Sequence, residues 1–302
     1  MTDDDFTNQD FMLSVGDGHR LHVVDWGNPD AETPFVFLHG GPGGMVKDRH
    51  KIYFNPLKDR VIFFDQRGCG KSTPYGSLKN NTTEHLAADI IKIADHLKIE
   101  KFNFYGYSWG STLALYTAIN YPARVQNLVI GGVYSGSNDS PNMLNYLKTF
   151  FPEKYEQIIT LTLPEHHKNL IAYYQDKALN GTPSEQKHAC HTLGTIEFTI
   201  MNYDSDYAVP EPYEDFDPAP ARIEAYYLQN HCFLPKDYLL NHASEITTPV
   251  YIIQGRSDLV CPPEYAYKLS QKLPHCHLYW ANSNHYSTRE LTSLIRTVIS
   301  FL

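Results

Sequence analysis

The sequence predicts an α/β fold with a mostly parallel sheet that is covered by helices on both faces. Short apolar runs alternate with segments of helical periodicity over residues 35–132 and again over 249–302, an alternation typical of parallel β-α-β units. Between these regions, residues 134–240 are polar, rich in tyrosine and helical in pattern. We therefore expect one α/β core, formed by residues 1–133 and 241–302, with residues 134–240 inserted as a helical lid.

The elements of the core follow from local patterns. Glycines in the turn Gly16-Asp17-Gly18 predict a β-hairpin over Phe11–Val15 and His19–Trp26. Apolar runs bounded by loop residues predict the next strands at Phe35–Leu38, Val61–Phe64, Phe102–Gly106, Val125–Gly132 and Pro249–Gly255. Apolar residues at helical spacing predict helices at Thr83–Leu97, Ser111–Asn120 and Thr288–Leu302.

Composition excludes several classes of protein. The chain has 302 residues, of which 42% are hydrophobic, enough for a sizeable core. A net charge of −9 argues against a surface for nucleic acid or an anionic membrane. The acidic start, Met1–Asp5, lacks the apolar segment of a signal peptide, and no apolar run reaches the length of a membrane span. We expect a soluble cytoplasmic protein.

The cysteines fit the same compartment. There are five, an odd number without paired spacing, as expected where thiols stay reduced. His188–His191 and His275–His277 each combine histidine with cysteine, but their spacings match no zinc pattern. We expect neither a metal nor a cofactor.

The segment Phe104–Ser111 carries the strongest chemical signal. It is an apolar run that ends in G-x-S-x-G, with Ser108 at the centre, and a helical pattern follows at once. A serine on a sharp turn from strand to helix has its hydroxyl exposed at the helix N-terminus. Glycines at positions 106 and 110 allow the helix to pack close to the strands. Ser108 is therefore the candidate nucleophile.

A nucleophilic serine requires a base, and the base requires an orienting acid. Asp258 follows the buried-type strand pattern that ends at Gly255, and His285 follows another short apolar run. The order Ser, Asp, His is the one found in the α/β-hydrolase fold. The less favoured alternatives are His277, inside a strand pattern, and two acids of predicted lid loops, Asp217 and Asp237.

The oxyanion of an acyl-transfer reaction needs preorganised N–H donors. A glycine-rich turn follows the strand Phe35–Leu38, and backbone N–H groups approach a ligand most closely where side chains are absent. We assign the two donors to Gly41 and to Trp109, the residue after the nucleophile.

Several separated blocks of the chain resemble the proline iminopeptidases (prolyl aminopeptidases) of the α/β-hydrolase superfamily. The blocks are His39–Gly44 (HGGPGG), Asp65–Ser72 (DQRGCGKS), Asn81–Thr83 (NTT), Ala88–Ile90 (ADI), Ser108–Leu115 (SWGSTLAL) and Gly255–Pro262 (GRSDLVCP). The resemblance implies a serine aminopeptidase that releases an N-terminal proline, or a similar small residue, from peptides with a free amine. It also implies an inserted helical lid.

The resemblance extends to two glutamates of the lid. Arg222-Ile223-Glu224 followed by Tyr227 is similar to a family block, and Glu197 stands where the family has a Trp-Glu pair. In the family these glutamates bind the N-terminal amine of the substrate. Two carboxylates that face one ammonium group satisfy its donors and exclude internal peptide bonds, which carry no such cation.

Other conspicuous residues receive structural interpretations. We expect Asp65 and Arg67 to form a buried ion pair that shapes the loop beneath the site. The lid tyrosines are equally compatible with a proline pocket and with plain packing; they are Tyr203, Tyr207, Tyr226 and Tyr227.

Two departures from the family pattern bear on substrate preference. Tyr107 precedes the nucleophile where the family commonly has glycine, and residues 132–137 replace a longer charged and aromatic block. Both face the acyl pocket by analogy. They leave the mechanism intact but argue against a strict preference for proline. The second hypothesis is an esterase, amidase or lactonase that acts on a non-peptide acyl compound. A catalytically silent binding protein is the third, and the complete set of Ser, Asp and His argues against it.

Overall fold

A computed structural model describes residues 6–136, 140–201, 213–286 and 288–302. Its strands are β1 Thr7–Gly16, β2 His19–Gly27, β3 Phe35–Leu38, β4 Arg60–Phe64, β5 Phe102–Tyr107, β6 Val125–Gly131, β7 Val250–Gly255 and β8 Cys276–Ala281. Its helices are α1 Thr83–His96, α2 Trp109–Asn120, α3 Ser140–Phe150, α4 Pro152–Thr160, α5 Leu170–Asn180, α6 Pro183–Met201, α7 Ala219–Gln229, α8 Tyr238–His242, α9 Pro263–Ser270 and α10 Arg289–Phe301.

The described strands form one sheet in the order β1-β2-β4-β3-β5-β6-β7-β8. The hairpin β1-β2 and the pair β2-β4 are antiparallel, and every pair from β4 to β8 is parallel. This is the α/β-hydrolase arrangement, so the predicted fold class is confirmed. The parallel order brings the carboxyl ends of β3, β5, β7 and β8 to one edge of the sheet, where the loops that carry the predicted site begin.

The central strands are buried on both faces, and alternate residues enter two different cores. Val36 and Leu38 of β3 pack in the core beneath α1, α2 and α9. Phe35 and Phe37 pack in the core beneath α10. The predicted apolar face of α10 lies in that second core, and the Thr288 side chain caps the helix by accepting a hydrogen bond from Leu291 N–H at 3.2 Å.

The segment between β6 and β7 is helical in its described part, and its helices α3 to α7 enclose a third apolar core. Helix α7 belongs to both layers, because Ile223 and Tyr227 pack into the core of the sheet while Ala225 packs into the core of the lid. Helix α8 spans the predicted lid boundary at residue 240, and its Leu239 packs against the sheet core. The division at residues 133 and 240 stays a prediction.

The predicted ion pair between Asp65 and Arg67 is wrong. Arg67 forms a bidentate pair with Asp89 of α1, at 2.6 and 2.8 Å. Asp65 instead accepts backbone N–H bonds from Val46 and Lys71, both at 2.8 Å. The planar guanidinium fork matches a single carboxylate, whereas the Asp65 oxygens join two loops that offer backbone donors. Both residues therefore organise the loops beneath the site through separate partners.

Candidate active site

Ser108 occupies a sharp turn between β5 and α2. Its backbone lies at φ 57° and ψ −127°, a conformation that few residues other than glycine adopt. The close packing around the turn requires the flanking glycines. A Cβ atom at Gly106 would lie 2.4 Å from the Gly110 carbonyl oxygen, and one at Gly110 would lie 2.2 Å from the Leu38 carbonyl oxygen. The turn thus has the strained geometry predicted for a nucleophile elbow.

Asp258 and His285 meet at the ends of two neighbouring strands. Asp258 lies in the loop after β7 and His285 in the loop after β8, and both side chains are buried. The distance from His285 Nδ1 to Asp258 Oδ2 is 2.8 Å. The other carboxylate oxygen, Oδ1, accepts the N–H groups of Cys261 at 2.7 Å and Val260 at 3.0 Å. The backbone therefore fixes the orientation of the carboxylate that holds the imidazole.

The electrostatics of His285 suit a general base. Burial alone would lower its pKa, but the charge and hydrogen bond of Asp258 outweigh burial and raise the pKa above the ordinary value. The Tyr107 ring packs against the imidazole, with centroids 5.3 Å apart. Among the described residues, no hydrogen bond joins the Ser108 hydroxyl to His285. Such contacts are often loose before a substrate binds.

The two candidate oxyanion donors lie on loops that are tied to each other. Gly41 has φ +118°, and a Cβ atom there would lie 2.6 Å from the N atoms of Gly43 and Gly44, so only glycine fits. Trp109 opens α2, where backbone N–H groups have no acceptor within the helix. The Trp109 indole donates to Gln66 Oε1 at 2.9 Å, and the Gln66 amide donates to the His39 carbonyl at 3.1 Å.

A pocket opens beside the nucleophile; we call it the outer pocket. It is lined by Gly41, Pro42, Ser108, Tyr134, Met143, Glu197, Glu224, Leu228, Val260 and Cys261. Of the predicted residues, the pocket joins the nucleophile, one oxyanion donor and both glutamates.

The sequence reasoning did not assign Met143 or Leu228 to this pocket. Leu228 lies one helical turn after Glu224 on α7 and so shares its face, a signal that was available. No local pattern indicated Met143.

Glu197 of α6 and Glu224 of α7 line the same two pockets, and their carboxyl groups interact with each other. Burial raises the pKa of Glu197. Burial and the neighbouring Glu197 raise the pKa of Glu224 well above its ordinary value. Two carboxyl groups this close cannot both ionise without a cation between them. The raised pKa values favour a shared proton on the pair when no cation is bound, and an ammonium group would replace that proton.

The less favoured candidates lie elsewhere. His277 is in β8, where its ring stacks on Tyr251 with centroids 5.2 Å apart. Asp217 accepts hydrogen bonds from the Tyr75 hydroxyl and from Ala219 N–H. Asp237 precedes α8 with a left-handed backbone.

Of the four lid tyrosines named from the sequence, the two that the structure describes do not line the outer pocket. Tyr227 is buried and donates to Asn81 Oδ1 at 2.9 Å, while Tyr226 packs on Phe233 with centroids 5.2 Å apart. Tyr203 and Tyr207 lie outside the described residues. A different aromatic residue, Tyr134, lines the pocket near Ser108.

Two further findings concern metal sites and membrane-spanning helices. In the described ranges, no group of three or more His, Cys, Asp or Glu side chains could hold a metal ion. No helix among the same residues is long and apolar enough to cross a membrane.

Comparison with known proteins agrees with this geometry. The family model for the alpha/beta hydrolase fold matches residues 33–287. A solved structure, an esterase from Exiguobacterium antarcticum, superposes with a TM-score of 0.65 and 19% identity over 97% of this chain and 99% of that one. At that level of identity the likeness concerns the fold alone.

Sequence relatives are more specific. The chain is 35% identical to a probable proline iminopeptidase of Leptolyngbya boryana, over 89% of this chain and 86% of the relative. It is 34% identical to a proline iminopeptidase of Xylella fastidiosa, over 88% and 87% of the two chains. These matches span the core and the lid, and they confirm the resemblance seen in the separated motifs. The chain belongs to the proline iminopeptidase family of α/β hydrolases.

Proposed function

We propose that the protein is a serine aminopeptidase that releases proline, or a similar residue, from the N-terminus of peptides through an acyl-enzyme. The observation that carries this proposal is the outer pocket, which places the Ser108 turn and the carboxyl pair of Glu197 and Glu224 around one space. A substrate held there by its amine presents its first carbonyl carbon to the serine. Family membership supports the same activity.

In the proposed mechanism, Ser108 Oγ attacks the carbonyl carbon while its proton passes to His285 Nε2. Asp258 holds the imidazole in the tautomer with its proton on Nδ1, and stabilises the cation that forms. The N–H groups of Gly41 and Trp109 stabilise the negative oxygen of the tetrahedral intermediate. His285 then gives the proton to the leaving amine. Water, activated by the same histidine, hydrolyses the acyl-enzyme and frees Ser108. The steps need neither a metal nor a cofactor.

The carboxyl pair supplies the selectivity for a free N-terminus. A secondary ammonium group has two N–H donors, one for each carboxylate. Its charge allows both glutamates to ionise, and the shared proton leaves. An acylated amine carries no charge and cannot take the place of the proton that the two carboxyl groups share, so binding is lost.

Three further expectations remain proposals. The partners are peptides or small molecules with a free amine; a net charge of −9 disfavours nucleic acid and anionic membranes. A cytoplasmic location is supported by the five cysteines of the sequence, an odd number without paired spacing. The division into a core, residues 1–133 and 241–302, and a lid, residues 134–240, is supported by the third apolar core.

The test compares three substrates: proline β-naphthylamide, its N-acetylated form and p-nitrophenyl acetate. We expect cleavage of the free amine, none of the blocked amine, and slow cleavage of the ester. Glu224→Gln should lower kcat/KM on proline β-naphthylamide by about 10- to 100-fold, since a hydrogen bond to a charged group is lost, and leave ester cleavage unchanged. Cleavage of the ester alone by the wild-type protein would move the substrate class to esters. An equal loss on both substrates would contradict the amine-binding role.

A further inference from the structure

A second pocket lies inside the lid and adjoins the outer pocket; we call it the inner pocket. The two pockets share Met143, Glu197, Glu224 and Leu228, so they meet at the carboxyl pair. The remaining residues of the inner pocket belong to α5, α6 and α7, and they are Ile171, Gln175, Leu193, Ile196, Ala221 and Ala225. Apart from the shared glutamates, Gln175 is the one hydrogen-bonding side chain among the described residues that line it.

Gln175 stands out because the NH₂ group of its amide is buried and has no partner in the part of the chain that the structure describes. The residue lies on α5, which packs against α6 and α7, and it is only 2% exposed. Its Nε2 atom is inaccessible to solvent and has no hydrogen-bond partner among the described residues. Buried amide donors are nearly always paired, because an unpaired one loses its hydration without compensation. Because Gln175 lines a pocket, its unpaired N–H group indicates that a ligand supplies the missing acceptor.

The position of the carboxyl pair determines which part of a substrate reaches this donor. The proposed function places the substrate amine at Glu197 and Glu224. The side chain of the N-terminal residue is attached to the same α-carbon as that amine, so it starts beside the carboxyl pair. A proline side chain closes back on its own nitrogen and stays in the outer pocket. A longer side chain that is not closed into a ring can extend from there into the inner pocket.

The lining then decides the chemistry of that side chain. Aliphatic walls favour methylene groups. The two glutamates at the junction repel a side chain with a carboxylate, and the unpaired amide N–H of Gln175 favours an acceptor at the far end. A side chain that ends in a cation is also disfavoured, because its charge would lie between aliphatic walls and face another hydrogen-bond donor.

We propose that the inner pocket is a subsite for the N-terminal side chain of the substrate. It accepts unbranched, uncharged side chains that end in a hydrogen-bond acceptor, and Gln175 is the residue that determines this specificity. The proposal rests on the proposed aminopeptidase activity and extends it beyond proline.

The test measures kcat/KM for the β-naphthylamides of proline, norleucine, glutamine and glutamate. Norleucine and glutamine have side chains of similar length, but only glutamine ends in a neutral acceptor. We expect the wild-type protein to prefer glutamine over norleucine and to reject glutamate. Gln175→Leu should lower kcat/KM for glutamine about tenfold, the effect of one lost hydrogen bond. It should leave proline within about twofold and leave norleucine equal or improved.

Two further variants support the comparison. Gln229→Leu makes the same change at an exposed position at the end of α7, and it should alter none of the four substrates. Gln175→Glu removes the donor at nearly constant size and should also lower the preference for glutamine over norleucine. If Gln175→Leu fails to fold, this variant and the wild-type preference still decide the question.

Each failure has its own signature. If the wild-type protein cleaves proline but neither glutamine nor norleucine, the inner pocket is not a subsite and the inference is refuted while the proposed function stands. A uniform fall on all substrates in both Gln175 variants would show a structural role and also refute the inference. If no free amine, proline included, is cleaved, the proposed function itself fails.

Discussion

The substitution Asp258→Asn tests the proposed triad most directly, because the surroundings of Asp258 fix how the new amide must lie. Oδ1 accepts two backbone N–H groups, from Cys261 at 2.7 Å and Val260 at 3.0 Å. An NH₂ group in that position would face two backbone donors, whereas in the Oδ2 position it faces the imidazole and one longer contact, the Gln254 amide at 3.4 Å. The amide oxygen therefore occupies the Oδ1 position, and the NH₂ group points at His285 Nδ1, which lies 2.8 Å from Oδ2.

The consequence is a change of tautomer. His285 Nδ1 must accept a hydrogen bond from the new amide, so its proton moves to Nε2. With a proton on Nε2, the imidazole cannot take the proton of Ser108. The same change in serine proteases of unrelated fold costs about 10⁴ in kcat, equivalent to ~5.5 kcal/mol of transition-state stabilisation. We expect a similar loss here at neutral pH, with little change in KM.

The assay is steady-state hydrolysis of proline β-naphthylamide, with folding checked by circular dichroism. Asp217→Asn supplies a matched control, because Asp217 is an acid of the lid that lies away from His285. It should retain activity within about threefold, as expected for surface polar groups. Loss of less than tenfold in Asp258→Asn, in a folded protein, would refute the assignment of Asp258 as the orienting acid.

Two further predictions follow from the same contacts. The kcat/KM for proline β-naphthylamide should fall as the pH decreases through the pKa of His285, which Asp258 raises above its ordinary value, because only the neutral imidazole accepts a proton. The fall should be steeper than for p-nitrophenyl acetate, because protonation of Glu224, whose pKa is also raised, weakens binding of the amine. Parallel pH profiles for the two substrates would contradict this role of Glu224. Tyr107→Phe should raise the free energy of unfolding by about 1 kcal/mol and the melting temperature by about 2 to 4 °C. The reason is that the buried Tyr107 hydroxyl has no partner among the described residues. Thermal or urea unfolding measures the change, and a destabilised variant would show that the hydroxyl is paired in solution.

The core and its site were largely predictable because their signals are local. An apolar strand ends and a polar or glycine-containing loop begins, so each candidate residue could be placed at a strand end from its neighbours alone. Ser108, Asp258 and His285 lie in this way after β5, β7 and β8. Parallel pairing then brings strand ends together whatever the length of the intervening lid.

The pairing of charges was less predictable. Asp65 and Arg67 are close in sequence and opposite in charge, yet each has other partners: backbone N–H groups for Asp65 and the carboxylate of Asp89 for Arg67. Sequence proximity says little about which buried charge meets which. That choice depends on hydrogen-bond geometry, which the packing of α1 against the loop provides.

The sequence by itself determined the fold class, the elbow at Ser108 and the order of acid and base, because these depend on periodicity and on glycine at fixed spacing. Only the tertiary structure decided what surrounds them. Glu197 and Glu224 lie on different helices and become neighbours only because α6 packs against α7. Gln175 carries no signal in the sequence at all; it was found because its buried amide N–H has no partner among the described residues and it lines a pocket with that pair. Helix packing is set by many weak contacts between distant segments, so no local pattern could have shown it.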